Sequence, residues 1–369
     1  MKYFLLAGEK SGDLHGSNII KAIKLQDHDA QFFAWGGELM EEAGANLLMH
    51  YKEMSIMGII GVIKNLRRIK HFFQLVKKQL VDIQPDTVLF IDYGGFNLKA
   101  AKIAKQMGFH TQFYIAPKVW AWNYARIYAV KKWIDELYVI FPFEKAIFEK
   151  EGISTHFEGN PIMDEIKSFQ KDLNFVSNEK LNKPYIALLP GSRKQEITKL
   201  LPIFEALAEQ NPQFTFVVAG VKELQELFAD TSLKVVYGKT YQIVSHAQMA
   251  IVCSGTATLE TALLQTPLVV VYKTDPLFYR LAKWFVKLNY ISLVNIILNK
   301  PAIPELIQSE ASVERITEKI NELFPEESSI RKLQLTDFKT LYAQMGDDKV
   351  SDRLAKIMVE KTKQFLGNS

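Results

Sequence analysis

Short apolar runs, each followed by a polar loop bearing Gly or Asp and then by apolar residues at helical spacing, recur along this chain. Tyr3 to Ala7 is the first run and predicts a buried strand. Gly12 to Lys24 then carries Leu14, Ile19, Ile20 and Ile23 on one helix face. Thr87 to Ile91 predicts another strand, followed by the loop Asp92-Tyr93-Gly94-Gly95 and a helix from about Asn97 to Met107. Thr111 to Ile115 and Glu136 to Ile140 continue the strands. Uninterrupted apolar strands separated by helices belong to parallel sheets covered on both faces.

The segment Lys167 to Asn182 is polar, lacks periodicity and reads as a link. A second series follows it. Tyr185 to Leu189 predicts a strand ending in Pro190-Gly191-Ser192-Arg193, and Leu200 to Glu209 a helix. Phe214 to Ala219, Lys234 to Tyr237, Met249 to Cys253 and Leu268 to Tyr272 predict further strands. The last ~50 residues read as wholly helical. The expected architecture is α/β, with two Rossmann-like domains facing a cleft and a helical C-terminal tail. The boundaries are 1–170 and 183–345, with 346–369 a helix packing back on the N-terminal domain or on a partner subunit. In open sheets of this kind ligands bind beyond the carboxyl ends of the strands, where all the Gly-bearing loops of interest fall.

Composition narrows the picture. At 369 residues the chain exceeds what one hydrophobic core of up to ~250 residues usually holds. Hydrophobic residues at 48% and charged residues at 23% exclude a disordered chain. A net charge of +4 is too small to imply nucleic acid. The single cysteine, Cys253, fits a reducing compartment, and its apolar setting suits a small core residue better than a nucleophile. Met1 to Ala7 leads at once into Gly8-Glu9-Lys10-Ser11-Gly12-Asp13 and lacks the pattern of a secretory signal. No run approaches the ~18 apolar residues of a membrane span, so membrane contact is expected to be peripheral. The seven histidines lack ligand spacing, and no structural metal is expected.

Five features carry candidate chemistry. Gly8 to Gly16 lies between the first strand and helix. Its glycines permit close backbone approach, while Glu9, Ser11 and Asp13 offer acceptors to sugar hydroxyls or serve as caps of an ordinary turn. Its glycine spacing is not that of a dinucleotide fingerprint. Asp92, at a strand's carboxyl end, is placed to take a proton from a substrate hydroxyl, or to close its own turn. Arg193 offers a planar fork for a diphosphate, or is a plain surface arginine, with Glu196 as cap or orienter. Ser254-Gly255-Thr256-Ala257-Thr258-Leu259-Glu260 puts small residues at a helix start, either an anion site with Glu260 in reach of a ribose or a helix capped by Ser254 or Thr256 with Glu260 exposed. It has no Walker A ending, so ATP hydrolysis is not indicated. The fifth feature is the apolar stretch Met54 to Ile63, with Met57, Ile59, Ile60 and Val62, which runs into Lys64, Arg67 and Arg68. It reads either as an interfacial segment on anionic lipid or as a core helix with a solvated basic face. Phe278 to Tyr290 is a second candidate of that type. Trp120 and Trp122 stack on a sugar, flank acyl chains, or pack under a loop.

These motifs occur together in one known family. Ala7 to Gly16 resembles its first loop. Met57-Gly58 with Leu66-Arg67-Arg68, Ile91-Asp92 with Phe96-Asn97, Pro117-Lys118-Val119-Trp120-Ala121-Trp122, and Phe141-Pro142-Phe143-Glu144 follow in its order. So do Gly159-Asn160-Pro161, Leu189 to Arg193, Ser254 to Glu260, and Ser292-Leu293-Val294-Asn295. The chain resembles the lipid-A-disaccharide synthase family from Met1 to about Gln308. The resemblance implies a GT-B fold and an inverting, metal-independent glycosyltransferase with no cofactor. Its donor would be UDP-2,3-diacylglucosamine and its acceptor 2,3-diacylglucosamine 1-phosphate, joined at the cytoplasmic face of the inner membrane of a Gram-negative bacterium. It implies an acceptor and membrane side in the N-terminal domain and a UDP side in the C-terminal one. Asp92 then falls on the catalytic carboxylate, Glu9 and Ser11 on the active-site first loop, and Arg193 on the phosphate contact. Ser254, Gly255, Thr256, Glu260 and Asn295 fall on the nucleotide site. The family pattern has a second Asp before Phe-Asn where this chain has Gly95, which leaves Asp92 as the base. The resemblance leaves a homodimer open. Its rivals are another UDP-sugar GT-B enzyme, such as a cell-wall glycosyltransferase or an epimerase, and a non-catalytic nucleotide-sugar or lipid-binding module.

Overall fold

The computed structural model describes all residues except 55–65, 122, 277–278, 281–287 and 368–369. The chain divides into two compact units, Met1–Met163 with Gly346–Ser369, and Asp164–Met345.

The first unit alternates strand and helix: β1 (Lys2–Ala7), α1 (Lys10–Gln26), β2 (Gln31–Gly36), α2 (Glu38–Glu42), β3 (Asn46–His50), α3 (Tyr51–Met54), α4 (Leu66–Ile83), β4 (Thr87–Ile91), α5 (Gly94–Gln106), β5 (His110–Tyr114), α6 (Arg126–Trp133), β6 (Glu136–Tyr138), α7 (Pro142–Glu149) and β7 (Thr155–His156). The strands pair in parallel in the order β3-β2-β1-β4-β5-β6-β7. Such strands are sealed on both faces, and every residue of β4 and β5 is buried. One face is closed by α4, α5 and α6 through Phe72, Val76, Ala100, Ala104, Ile127 and Val130. The other is closed by α1 together with the C-terminal helix Val350–Gly367, where Ile19, Ile20 and Ile23 meet Leu354, Ala355 and Met358. Gln112 on β5 anchors that last helix, donating to Thr362 Oγ1 at 2.9 Å while its own Oε1 accepts from the Tyr138 hydroxyl at 2.6 Å.

α8 (Ile162–Ser168) spans the boundary in sequence between the units, and α9 (Phe175–Asn178) lies within the 167–182 segment whose polar sequence reads as a link. Phe175 fixes it there, 1% exposed and stacked on His246, whose Nε2 lies 2.8 Å from the carbonyl oxygen of Asp172. There follow β8 (Tyr185–Leu189), α10 (Lys194–Gln210), β9 (Thr215–Gly220), β10 (Lys234–Tyr237), α11 (Thr240–His246), β11 (Met249–Cys253), α12 (Thr256–Leu263), β12 (Leu268–Tyr272), α13 (Leu293–Leu298), β13 (Glu305–Ile307), α14 (Val313–Leu323) and α15 (Ser329–Gln344). The parallel sheet of the second unit runs β10-β9-β8-β11-β12-β13. The helix expected from Leu200 begins six residues earlier, at Lys194, and runs through Pro202.

Both sheets reverse direction once. In the first the chain works outward from β1 through β2 to β3, then returns to β4 on the other side of β1. In the second the same reversal falls between β8 and β11. Crossovers to opposite faces leave a crevice at that point, beyond the carboxyl ends of the two strands. The loops after β1 and β4, and those after β8 and β11, are where Glu9, Asp92, Arg193 and Ser254 stand. Among the described residues no helix is long and apolar enough to cross a membrane.

Candidate active site

In the first unit Ala7 of β1 pairs with Ile91 of β4, so the loops they lead into emerge side by side. They are in contact. A Cβ added at Gly8 would lie 2.3 Å from the Tyr93 ring, so only glycine lets the first loop pass beneath that ring. Glu9 and Ser11 are exposed at the start of α1. The Glu9 charge reaches Tyr93, whose hydroxyl is pushed up first by burial and then by that charge. Asp13, the third acceptor of the loop, faces elsewhere. It is 2% exposed and accepts from the backbone N–H groups of Gly37 at 2.7 Å and of Leu39 and Met40 at 3.1 Å. It therefore caps α2, whose own N-cap is a glycine without a side chain. His15, edge-on to Tyr114, is held at about 4 by burial and stays neutral.

Asp92 is half-buried and, with Tyr93, adopts left-handed backbone angles at φ 48° and 50°. Ile115, just beyond β5, does so at φ 63°. Such angles cost L-residues roughly 1–2 kcal/mol each, most for a β-branched residue, and strain of this kind gathers at functional loops. Asn97 pays into the same corner. Fully buried, it donates to the carbonyl oxygens of Asp92 at 2.8 Å and of Leu6 and Ile91 at 3.2 Å, tying together the ends of β1 and β4. The Asp92 carboxylate accepts from the N–H of the next residue, Tyr93, at 2.8 Å through Oδ1. Oδ2 takes no hydrogen bond among the described residues. Burial raises the Asp92 carboxyl above its usual range, and the Lys118 charge and the Tyr93 N–H pull it back. The result is a carboxylate of enhanced basicity with one oxygen to offer. A side chain at Gly95 would meet nothing within 4 Å, so the departure at that position is not steric.

Trp120 Nε1 donates to Glu144 Oε1 at 2.9 Å, and Glu144 Oε2 accepts from the N–H groups of Phe141 at 3.1 Å and Ile140 at 3.2 Å. Trp120 also packs edge-on against Phe143, with centroids 5.0 Å apart. Its indole is thus used to fix a loop. Glu144, 1% exposed, is pushed up to about 7 by burial. Trp122 lies outside the described residues. So do Met57, Ile59, Ile60, Val62 and Lys64, and most of the Phe278 to Tyr290 segment. Arg67 is exposed on α4, while Arg68 donates to the Glu53 carbonyl at 3.0 Å and lies over the Phe72 ring.

In the second unit Leu189 of β8 pairs with Val252 of β11, which again sets two loops side by side. Glu196 is both cap and orienter. Its Oε2 accepts from the N–H groups of Ser192 at 3.0 Å and Arg193 at 3.1 Å, and its Oε1 pairs with Arg193 Nη1 at 2.8 Å. Gly191 is required for this, since it holds φ +105° and a Cβ there would strike Glu196 Oε2 at 2.4 Å. The Arg193 side chain is 79% exposed and borders a cavity of about 470 Å³ that Lys199, Lys273 and Asp275 also line. The Ser254 hydroxyl donates to the Ile291 carbonyl at 3.2 Å, while Gly255 and Thr256 are exposed at the start of α12. Glu260 accepts from the Tyr241 hydroxyl at 3.0 Å, and burial raises its carboxyl. Asn295 is 1% exposed, and its amide is engaged with Ile303 on both sides and with Glu305 at 2.9 Å. It holds the 292–305 loop in shape. Cys253 is buried and its thiol is pushed up to about 12 by burial, the behaviour of a core residue. Among the described residues no group of three His, Cys, Asp or Glu could hold a metal ion.

Tyr93, Lys118, Glu144 and Tyr241 were not assigned roles from the sequence. Glu144 alone had a signal, an acid three residues into a turn that closes a buried strand.

The lipid-A-disaccharide synthetase family matches residues 3–359. The lipid-A-disaccharide synthase of Coxiella burnetii (strain CbuK_Q154) is 34% identical over 329 residues, covering 86% of this chain and 88% of the relative. That of Trichlorobacter lovleyi is 34% identical over 376 residues, covering 98% of each. Among solved structures, the UDP-GlcNAc 2-epimerase of Neisseria meningitidis bound to UDP-GlcNAc superposes with a TM-score of 0.64, covering 98% of this chain and 100% of that one. At 12% identity that likeness shows the fold alone, two Rossmann-like α/β units of GT-B type with C-terminal helices. Sequence and fold agree, and the chain belongs to the lipid-A-disaccharide synthetase family.

Proposed function

We propose that this glycosyltransferase joins UDP-2,3-diacylglucosamine to 2,3-diacylglucosamine 1-phosphate in a single displacement at the donor's anomeric carbon, with Asp92 as the base. The acceptor hydroxyl gives its proton to Asp92 Oδ2 as its oxygen bonds to that carbon. The bond from the carbon to the diphosphate oxygen breaks on the opposite face, which inverts the configuration and releases UDP. Arg193 and the N–H groups that open α12 at Gly255 and Thr256 take up the charge of the departing diphosphate. This reading gives them the part that a metal plays in other transferases. Glu260 accepts from the ribose, Ser254 and Asn295 hold the loops around it, and Glu9 and Ser11 accept from sugar hydroxyls.

The observation that carries the base assignment is Asp92 itself. It is a half-buried carboxylate with raised basicity and one uncommitted oxygen, held in a left-handed turn at the reversal point of its sheet. The epimerase alternative is not favoured, since those proteins share the fold at 12% identity while synthases share 34%. The acyl chains place the reaction at a membrane surface, the cytoplasmic face of the inner membrane in our reading. The segment Met57 to Val62 with Lys64, Arg67 and Arg68 is the proposed contact. Supporting it, α4 continues with exposed Lys70, Lys77 and Lys78 and has no acid before Asp82.

Asp92→Asn tests the mechanism. It should lower turnover at least a thousandfold while the affinity for UDP, measured by calorimetry, stays within about twofold. Full activity in this variant would remove Asp92 from the base role.

A further inference from the structure

The loop after β5 is built more firmly than a surface loop needs to be. It starts at the left-handed Ile115, which is 4% exposed. Pro117 is buried and packs over the Asp92 turn, so that a Cβ added at Gly94 would lie 3.1 Å from its Cβ. The Val119 N–H donates to the Pro117 carbonyl at 2.6 Å, and the Ala121 N–H to the Lys118 carbonyl at 3.1 Å. Val119 is 2% exposed, and Trp120 is moored to the buried Glu144. Every residue from Ile115 to Trp120 is anchored except one. Lys118 stands exposed between Pro117 and Val119, and its ammonium forms no ion pair among the described residues.

Lys118 follows β5, the strand between β4 and β6, and its neighbour Pro117 packs on the Asp92 turn; its charge acts on Asp92 beyond β4 and on Glu144 beyond β6. An exposed lysine on a mobile loop would be a solvated surface charge. A lysine with both flanks locked, on a loop that packs against a carboxylate with a free oxygen, has a fixed root from which its flexible stem carries the charge to whatever substrate that carboxylate deprotonates. Of the two substrates, the one carrying the attacking hydroxyl also carries a phosphate monoester, one sugar ring away.

We infer that Lys118 seats the phosphate of the sugar-phosphate acceptor beside Asp92. This rests on the reading of Asp92 as the residue that meets the acceptor. The same charge opposes the rise that burial gives the Asp92 carboxyl.

The test uses the full chain in detergent micelles with two acceptors, 2,3-diacylglucosamine 1-phosphate and the same sugar without its phosphate. Lys118→Gln should raise KM for the phosphorylated acceptor about tenfold or more, the loss expected for one charged hydrogen bond. It should leave the donor KM unchanged and leave KM for the phosphate-free acceptor within about twofold. Lys118→Arg should recover most of the loss. An unchanged KM for the phosphorylated acceptor would overturn the inference, as would an equal rise for both acceptors. Asp92→Asn reports separately on the base. If that variant turned over normally while Lys118→Gln kept its phosphate-selective loss, the base assignment would fall and the phosphate seat would stand.

Discussion

Glu144 makes stability depend on pH in a way that can be worked out in advance. It is 1% exposed and accepts from Trp120 Nε1 and from the N–H groups of Ile140 and Phe141. Burial lifts its carboxyl from 4.5 to about 7 in the folded chain. Between those two values the folded state binds a proton that the unfolded state does not. The protonated carboxyl's contribution is therefore complete below pH 4.5 and is lost as pH rises through about 7. At about 1.4 kcal/mol per unit between the folded and unfolded values, the loss comes to about 3 kcal/mol. Glu144→Gln has no titration and so no slope from this site. Its amide has one acceptor oxygen for three donors, so it should also lose about 1–3 kcal/mol at every pH. Urea unfolding followed by tryptophan fluorescence suits the measurement, because four of the five tryptophans, Trp35, Trp120, Trp122 and Trp133, fall within residues 1–163. Wild type should fall by about 3 kcal/mol relative to Glu144→Gln between pH 4.5 and 8. A difference between the two proteins that stays constant over that range would refute the account of this carboxyl.

Other expectations follow from single contacts. Asp13→Ala strips the acceptor from three N–H groups at the start of α2 and should cost the first unit about 3 kcal/mol in the same urea assay, with Asp13→Asn costing less. Arg193→Gln should raise KM for the donor about tenfold and leave KM for the acceptor unchanged, read from initial rates with each substrate varied in turn. Arg67→Gln with Arg68→Gln should lower the fraction that sediments with anionic vesicles, and the deficit should vanish on neutral vesicles.

Four central strands were legible to the residue, while β1 was read one residue short and β5 one residue late. Thr87–Ile91, Tyr185–Leu189, Met249–Cys253 and Leu268–Tyr272 are buried on both faces and read as unbroken apolar runs. Towards the sheet margins the signal fades. β3, Asn46–His50, is largely half-buried and mixes polar with apolar residues, and β13 is only three residues long. The loops that carry the candidate residues do follow strands, but their internal wiring was not visible. Asp13 caps a helix 24 residues further along, and Glu260 is met by Tyr241 from the preceding helix. Such partners depend on how helices lie on the sheet, which periodicity does not encode. Nor do Asp92, Tyr93 and Ile115 announce their left-handed angles, since residues with a Cβ adopt them only when the surrounding fold forces them to.

The most direct test of the central claim is UDP release from UDP-2,3-diacylglucosamine in micelles, followed with and without 2,3-diacylglucosamine 1-phosphate. The account predicts release that depends on the acceptor, with one disaccharide 1-phosphate, seen by mass spectrometry, for each UDP. Release at the same rate without acceptor, or no release with this pair, would contradict it.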